Sequence, residues 1–254
     1  AITQRLIENT SYKETREAKH AIQFLETYRG FVTSDAYSGY DWINHETACR
    51  IIHVYCMSHA RRPFAELVKF TKNPGYAHKA VAYFAELYAI EKQARNEGMT
   101  PEARFILRLK QSKPILDKLF KFLKQTLPQA PPGSKLAKAI NYMLTREEGF
   151  YAYLSDGRLE IDNNLIENEI RPFALGRKNW IFLGSPRGAE AACIFYSLIQ
   201  TAKANGIEPC LYLTTMLEKL PYCKTEVEFE KLLPWHIKSD LDNLKSHDIK
   251  KTLP

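Results

Sequence analysis

What is scarce in this sequence narrows the field first. No stretch approaches the roughly 18 apolar residues of a membrane span; the densest, Ala191 to Ile199, is about half that. The N-terminus carries no signal-peptide pattern. Cysteine is limited to five residues, at 49, 56, 193, 210 and 223, an odd count with no close CxxC pair. That points to a reduced, cytosolic protein rather than a disulfide scaffold. Eleven Gly and 13 Pro in 254 residues exclude a collagen-like chain, and no internal repeat or low-complexity tract is present. With 45% apolar and 26% charged residues, a disordered tail is excluded as well.

What is present suffices for a packed core. At roughly 150 residues per domain, the length fits one large domain or two modest ones. A chain of this size buries about 70–75% of its unfolded surface without staples. Thirty-six basic against 29 acidic residues leave a net charge of +7. That excess is compatible with a polyanion partner, although many basic proteins bind none. Residue 1 is Ala, not Met, and the expectation is a fragment or a processed product.

The hydrophobic pattern alternates between helical and strand periods. Ala18, Ala21, Ile22, Leu25 and Tyr28 predict an amphipathic helix over 13–28 ended by Gly30. GFVTSD (30–35) reads as a short strand with a polar end, and the β-branched and aromatic run RIIHVYC (50–56) as a second. HARRPFAELVKF continues with helical period. From about 76 to 146 the chain is helical throughout. Pro101 and Pro114 fit first-turn positions, and Ser134 fits a helix cap after the QAPPGS break. DNNLIENEIRP (162–172) predicts a short helix capped by Asp162 or Asn163 and limited by Pro172. NWIFLGS (179–185) reads as a strand. RGAEAACIFYSLIQTAKANG predicts a helix closed by Gly206, with Ile194, Leu198 and Ile199 in the core, and a further helix starts near Pro209. Trp180 reads as core more than as a base-stacking surface. From about Lys238 the end is polar and frayed.

Four groups of residues could carry chemistry. Asp35 stands at the carboxyl end of a predicted strand, where α/β proteins collect ligands, and could hold a metal; it could equally serve an Asx-turn. The segment 156–190 divides by charge. Asp156, Glu160, Asp162, Glu167 and Glu169 precede Arg171, Arg177, Lys178 and Arg187. Carboxylates hold divalent ions and basic groups hold phosphates, which suits metal-dependent phosphoryl transfer. Asn163, Asn164 and Glu167 lie within one turn, and Arg171 is four residues beyond Glu167, so an ordinary helix salt bridge is the competing reading. His53, Cys56 and His59 precede Arg61 and Arg62. Their spacing matches no closed zinc site, so a buried Cys and a structural His compete with metal binding. Arg61 and Arg62 are better read as phosphate contacts. The basic run from Arg104 to Lys124 could track a nucleic-acid backbone or form a solvated helix face.

These segments together resemble the insertion-sequence-66 family of bacterial transposases, of the DDE group. The matching stretches are TSDAYSGYDW (33–42), CMSHARRPF (56–64), DGRLEIDNNLIENEIRPFALGRKNWIFLGSPRG (156–188), YSLIQTAKANGIEPCLYL (196–213) and LLPWHI (232–237). The resemblance implies an α/β, RNase H-like catalytic core, incomplete at the N-terminus, with a large all-α insertion and a helical C-terminal element. It divides the chain into a first part of the core (1–72), the insertion (73–150), a second part with the Glu helix (151–206) and a C-terminal element with a polar tail (207–254).

The family's second catalytic Asp maps onto Asp35 and its Glu onto Glu167. Both are then metal ligands for two Mg²⁺ or Mn²⁺ ions. Arg61, Arg62, Arg171, Arg177, Lys178 and Arg187 are expected on DNA, with Asn163, Asn164, Cys56 and His59 in support. The family's first Asp has no counterpart here; Asp41 follows Asp35 too closely to replace it. The expected function is transposition by metal-dependent DNA cleavage and strand transfer, in the bacterial cytoplasm at the nucleoid. Expected partners are element ends and target DNA, further copies of the chain and accessory proteins of the element, but no membrane. The alternatives are an inactive DNA-binding remnant or accessory protein, and a host nuclease of the same fold.

Overall fold

The computed structural model describes residues 13, 15, 17–43, 50–70, 74–176 and 185–238. The chain forms two compact units, one of residues 16–168 and one of residues 169–254 with the first 15; the division falls inside a helix. Among the described residues the fold is predominantly helical around one small parallel sheet.

In the 16–168 unit, helix α1 (Ala18–Phe24) leads into strand β1 (Gly30–Ser34). The helix is shorter than its apolar spacing predicts, and Gly30 begins the strand rather than ending the helix. Its φ of +134° is one that a side chain would resist, and it lets the Gly30 N–H reach the Arg50 carbonyl at 3.0 Å. The Arg50 guanidinium then holds the connection by donating to the carbonyls of Leu25, Glu26 and Tyr28. Strand β2 (Ile51–Tyr55) pairs parallel to β1, from Gly30 opposite Ile51 to Ser34 opposite Tyr55. Trp42, Ile43 and Ile51 make a small core beneath α1.

The main core lies among the helices that follow. Helix α2 (Met57–Phe70) starts directly at the end of β2 and runs through Pro63. It packs on α3 (Tyr76–Asn96) and on α6 (Lys135–Leu144). Helix α4 (Pro101–Leu107) passes through one wide turn, Arg108–Ser112, into α5 (Lys113–Thr126). Helix α7 (Glu147–Ala152) lies against β2. Phe64, Phe84, Leu87, Leu119, Phe120, Ile140 and Phe150 fill the space between them. The expected Ser134 cap is in place, its Oγ accepting from Ala137 N, and Pro101 stands in the first turn of α4 behind a further cap, Thr100 Oγ1 accepting from Ala103 N.

Arg104 and Arg108, read from the sequence as part of a solvated or DNA-tracking basic face, are instead inside this core. Glu91 and Arg108 are fully buried. Glu91 accepts from Arg108 Nε at 2.8 Å and from Arg104 Nε at 2.9 Å. Arg104 also binds Glu160 at 2.9 Å. Arg108 donates to the carbonyls of Tyr153, Asp156 and Leu159. Burial by itself would raise the Glu91 pKa, but the two guanidinia outweigh it and hold the carboxyl below its usual value. Gly157 sits so close to α4 that a Cβ there would lie 1.8 Å from the Pro101 carbonyl oxygen. The insertion thus grips the 153–161 segment through its backbone.

Helix α8 (Asn164–Gly176) extends past Pro172, which the sequence reading took as its limit. A proline removes one ladder hydrogen bond but keeps a helical φ, so a helix can continue through it at a cost. In the 169–254 unit, α9 (Pro186–Ala204) is capped by Ser185 Oγ and closed by Gly206 at φ +72°. Helices α10 (Pro209–Lys219) and α11 (Glu226–Lys231) follow, the latter opened by a reciprocal Thr225–Glu228 cap. Ala202, Ile207, Tyr212, Met216, Leu232 and Ile237 form their core. Ile194 is 61% exposed and does not join it, contrary to expectation; Cys193 and Tyr196 are the buried residues of that stretch. The predicted strand over 179–185 lies outside the described residues but for Ser185, as does the polar tail beyond 238. Among the described residues no helix is long and apolar enough to cross a membrane.

Candidate functional site

The carboxyl ends of the two parallel strands gather the residues of interest in the 16–168 unit. Asp35 directly follows β1. Its Oδ1 accepts from Tyr37 N at 3.3 Å, so the Asx-turn reading holds and leaves carboxylate oxygen for other work. Cys56 directly follows β2, and its backbone N–H reaches the Ser34 carbonyl at 3.0 Å. The ends of β1 and β2 are therefore joined immediately beside Asp35.

A second set of bonds brings in the start of α8. Met57 N donates to the Ile161 carbonyl at 3.1 Å, and Asn163 N donates to Cys56 Sγ at 3.5 Å. The buried Cys56 sulfur sits where a capping side chain would, at the start of α2, beside the backbone N–H groups of Ser58 and His59. Burial still dominates and pushes its thiol pKa up, so Cys56 is a neutral capping and packing group. Two turns are held by one atom.

From α2, His59 reaches across to α8. Its Nε2 lies 3.5 Å from Glu167 Oε1. Glu167 is exposed in the first turn of α8, where a carboxylate is favoured by the helix dipole. Asp162, just before that turn, accepts from Asn164 N at 3.1 Å and from Tyr88 Oη at 2.7 Å. Asp156 and Glu160 are held by Arg158 and by Arg104 with Arg95. Of the acids in the charge-divided segment, three are thus engaged in structure, Glu167 faces only a histidine among the described residues, and the side chain of Glu169 lies outside them.

Two buried polar atoms here have no partner among the described residues, His59 Nδ1 and Asn163 Oδ1. His53, which the sequence reading set beside Cys56 as a possible zinc ligand, is buried behind the site, and Ser34 Oγ lies 2.7 Å from its Nε2. Burial lowers its pKa to about 4, with Arg146 adding to the shift and Asp41 and Asp35 opposing it. No group of three or more His, Cys, Asp or Glu side chains converges into a metal cage among the described residues.

The predicted DNA contacts fall in different places. Arg61 and Arg62 are exposed on α2, one turn past His59, and Arg61 borders a small cavity with Tyr88 and Asn164. Arg171 is exposed on α8, and Arg187 is exposed in the first turn of α9, in the second unit. Arg177 and Lys178 lie outside the described residues. Sequence reasoning passed over Glu91 and put the two arginines it binds on a surface face. The signal was present: Glu91 continues the apolar spacing of Ala80, Phe84 and Leu87, and Arg104 and Arg108 are four residues apart.

The fold and this arrangement define a class: a mainly helical protein whose small parallel sheet presents carboxylate and imidazole groups at its strand ends, the usual place for a ligand in such a unit. The chain belongs to the IS66 transposase family. Residues 8–191 match the family described as "Transposase IS66 family", and residues 197–235 match the "IS66 C-terminal element". Among similar proteins of Sinorhizobium fredii, "Uncharacterized protein y4jD" is 34% identical over 236 residues, covering 90% of this chain and 45% of its own length. "Uncharacterized protein y4hP" is 35% identical, covering 88% of this chain and 42% of its own length. The chain thus spans less than half the length of these relatives. No solved structure matches it.

Proposed function

We propose that the chain is the catalytic portion of an insertion-sequence transposase that cleaves and joins DNA by metal-dependent phosphoryl transfer on an RNase H-like core. The observation that carries this reading is the run of bonds from Ser34 through Cys56 and Asn163, together with the His59–Glu167 contact. These bonds tie the end of β1, which Asp35 follows, to the start of α8, which carries Glu167 in its first turn, although 132 residues separate the two acids in sequence. Family membership supports the transposase reading independently.

The donor chemistry fits Mg²⁺ or Mn²⁺. Asp35 and Glu167 offer hard carboxylate oxygens, and Asn163 Oδ1, without a partner among the described residues, is a further oxygen just before the helix that carries Glu167. Two such ions supply an activated nucleophile and charge neutralisation for an in-line displacement at phosphorus. The protein's own groups do the rest. His59 orients the Glu167 carboxylate, and Cys56 fixes the turn from which α8 starts. Arg61, Arg62, Arg171, Arg177, Lys178 and Arg187 hold DNA phosphates, which sets affinity and register rather than sequence choice.

The test is cleavage of DNA carrying the element's ends by the full-length protein, with and without Mg²⁺. Metal-dependent nicking that is lost in Glu167→Gln, with DNA binding retained, supports the reading. Cleavage unaffected by Glu167→Gln sinks the site assignment. DNA binding without cleavage under any metal favours the second reading, a DNA-binding remnant or accessory protein of a mobile element.

A further inference from the structure

Beside β2, away from its pairing with β1, the 16–168 unit forms a half-open cavity of about 920 Å³. Its size is that of a small-molecule site. Ile51, His53 and Tyr55 alternate along β2 and so share one face, and all three line the cavity. Thr145, Arg146 and Tyr151 line it from α7 and the turn before it.

Two polar atoms in this lining are left over. Ser34 Oγ has one hydrogen and gives it to the Asp35 carbonyl at 2.6 Å. The 2.7 Å contact between Ser34 Oγ and His53 must therefore run from Nε2–H to the hydroxyl oxygen. His53 Nδ1 is then a bare acceptor on a side chain only 5% exposed, and among the described residues it has no partner. Arg146 Nε is a buried donor, also without one among the described residues. The Arg146 guanidinium lies 4.9 Å from the Tyr142 ring centroid and 5.7 Å from that of Tyr55. A buried acceptor and a buried donor, both unmade beside aromatic faces, are costly to keep unless a ligand completes them.

The ligand must be planar, carry a donor and an acceptor, and tolerate aromatic neighbours. A phosphate does not fit: the carboxylates of Glu147 and Glu148 line the same cavity, and among the described residues only Glu147 has a lysine, Lys124, at 2.8 Å. A neutral nucleobase does fit. Ser34 Oγ bridges the cavity and the candidate site, lying 2.7 Å from His53 Nε2 in the cavity wall and donating to the Asp35 carbonyl at 2.6 Å.

We infer that this cavity receives one unstacked nucleobase of the DNA strand engaged at Asp35, hydrogen-bonded to His53 Nδ1 and Arg146 Nε and stacked against the neighbouring tyrosines. The inference rests on the DNA-processing reading and deepens it by naming what the site does with a base.

The experiment measures binding of the full chain, by fluorescence anisotropy, to three synthetic duplexes. One is fully paired, one carries a single unpaired adenine, and one has an abasic residue at that position. The unpaired adenine should raise affinity roughly tenfold over the abasic duplex, the scale of stacking one base on aromatic side chains. Arg146→Met should bring the two to equality. Thr145→Trp, an exposed substitution that fills the cavity mouth, should do the same without altering the thermal midpoint, which guards against a folding artefact. Equal affinities for the adenine and abasic duplexes in the unmodified chain overturn the inference while leaving DNA binding intact. A preference that survives both variants overturns it too. Failure to bind even the paired duplex sinks the DNA-processing reading itself.

Discussion

Two clusters of charge in the same unit behave in opposite ways. In the helical insertion, Glu91, Arg104, Arg108 and Glu160 are mutually bonded, and Arg108 also satisfies three backbone carbonyls. At the strand ends, Asp35 keeps one turn contact, Glu167 is exposed against a histidine, and His59 Nδ1 and Asn163 Oδ1 are buried without partners among the described residues. Charge whose hydrogen-bonding capacity is filled by the protein holds structure together. Charge left with capacity beside buried unpaired atoms is where a ligand can act.

Substitutions should separate the two clusters. The largest effect is expected at the strand ends. Asp35→Asn or Glu167→Gln in the full-length protein should slow strand cleavage by about a thousandfold or more, since each removes a charge that would hold a divalent ion at the reacting phosphate. Stability, read by urea titration, should change by less than about 0.5 kcal/mol, as for a surface substitution. A large loss of stability there would erase the contrast. The reverse pattern is expected for Arg108→Met. It leaves the Glu91 carboxylate buried with a weakened set of donors and should cost about 3–5 kcal/mol. Adding Glu91→Leu should recover part of that loss, because the uncompensated charge goes with it.

Acid should act in two phases, first at the buried His53 behind the strand ends and then at Glu91 in the insertion. His53 has a folded pKa of about 4, below its unfolded value near 6.5, so the unfolded chain binds its proton first. Stability should therefore fall as pH drops through that window, by up to roughly 3 kcal/mol. Glu91 is also held below its unfolded value, so its contribution is present above that value and is lost at still lower pH, as the folded carboxyl protonates. Urea midpoints measured across pH should show both phases, and His53→Gln should remove only the upper one. The smallest effects belong to the surface cations. Arg61→Ala, Arg62→Ala or Arg187→Ala should each weaken DNA binding by a modest factor for any sequence. Each should also reduce the slope of log affinity against log salt by about one. A sequence-selective loss at any of them would make it a base contact instead.

Much of the scaffold was legible because local chemistry decides it. The Ser134 cap, proline in the first turns of α4 and α5, Gly206 beyond α9 and the β-branched run of β2 follow from the residues on the spot. The misreadings came where distant chain intervenes. Pro172 did not stop α8, Ile194 did not enter a core, and Arg104 and Arg108 did not face water. The proximity of Asp35 to the start of α8 was legible only through the family's motifs, since no periodicity links residues so far apart.

Composition and pattern by themselves settled that this is a cysteine-poor, basic chain with short strands at the positions of β1 and β2 and a long helical stretch after them, because propensity, capping and turn preference act within a few residues. Tertiary structure alone decided which charges are sealed inside and which stay available. Burial and hydrogen-bond completion depend on what the rest of the chain brings alongside: the Glu91 carboxylate is pinned by residues 13 and 17 positions away, and the Cys56 sulfur by one 107 positions away.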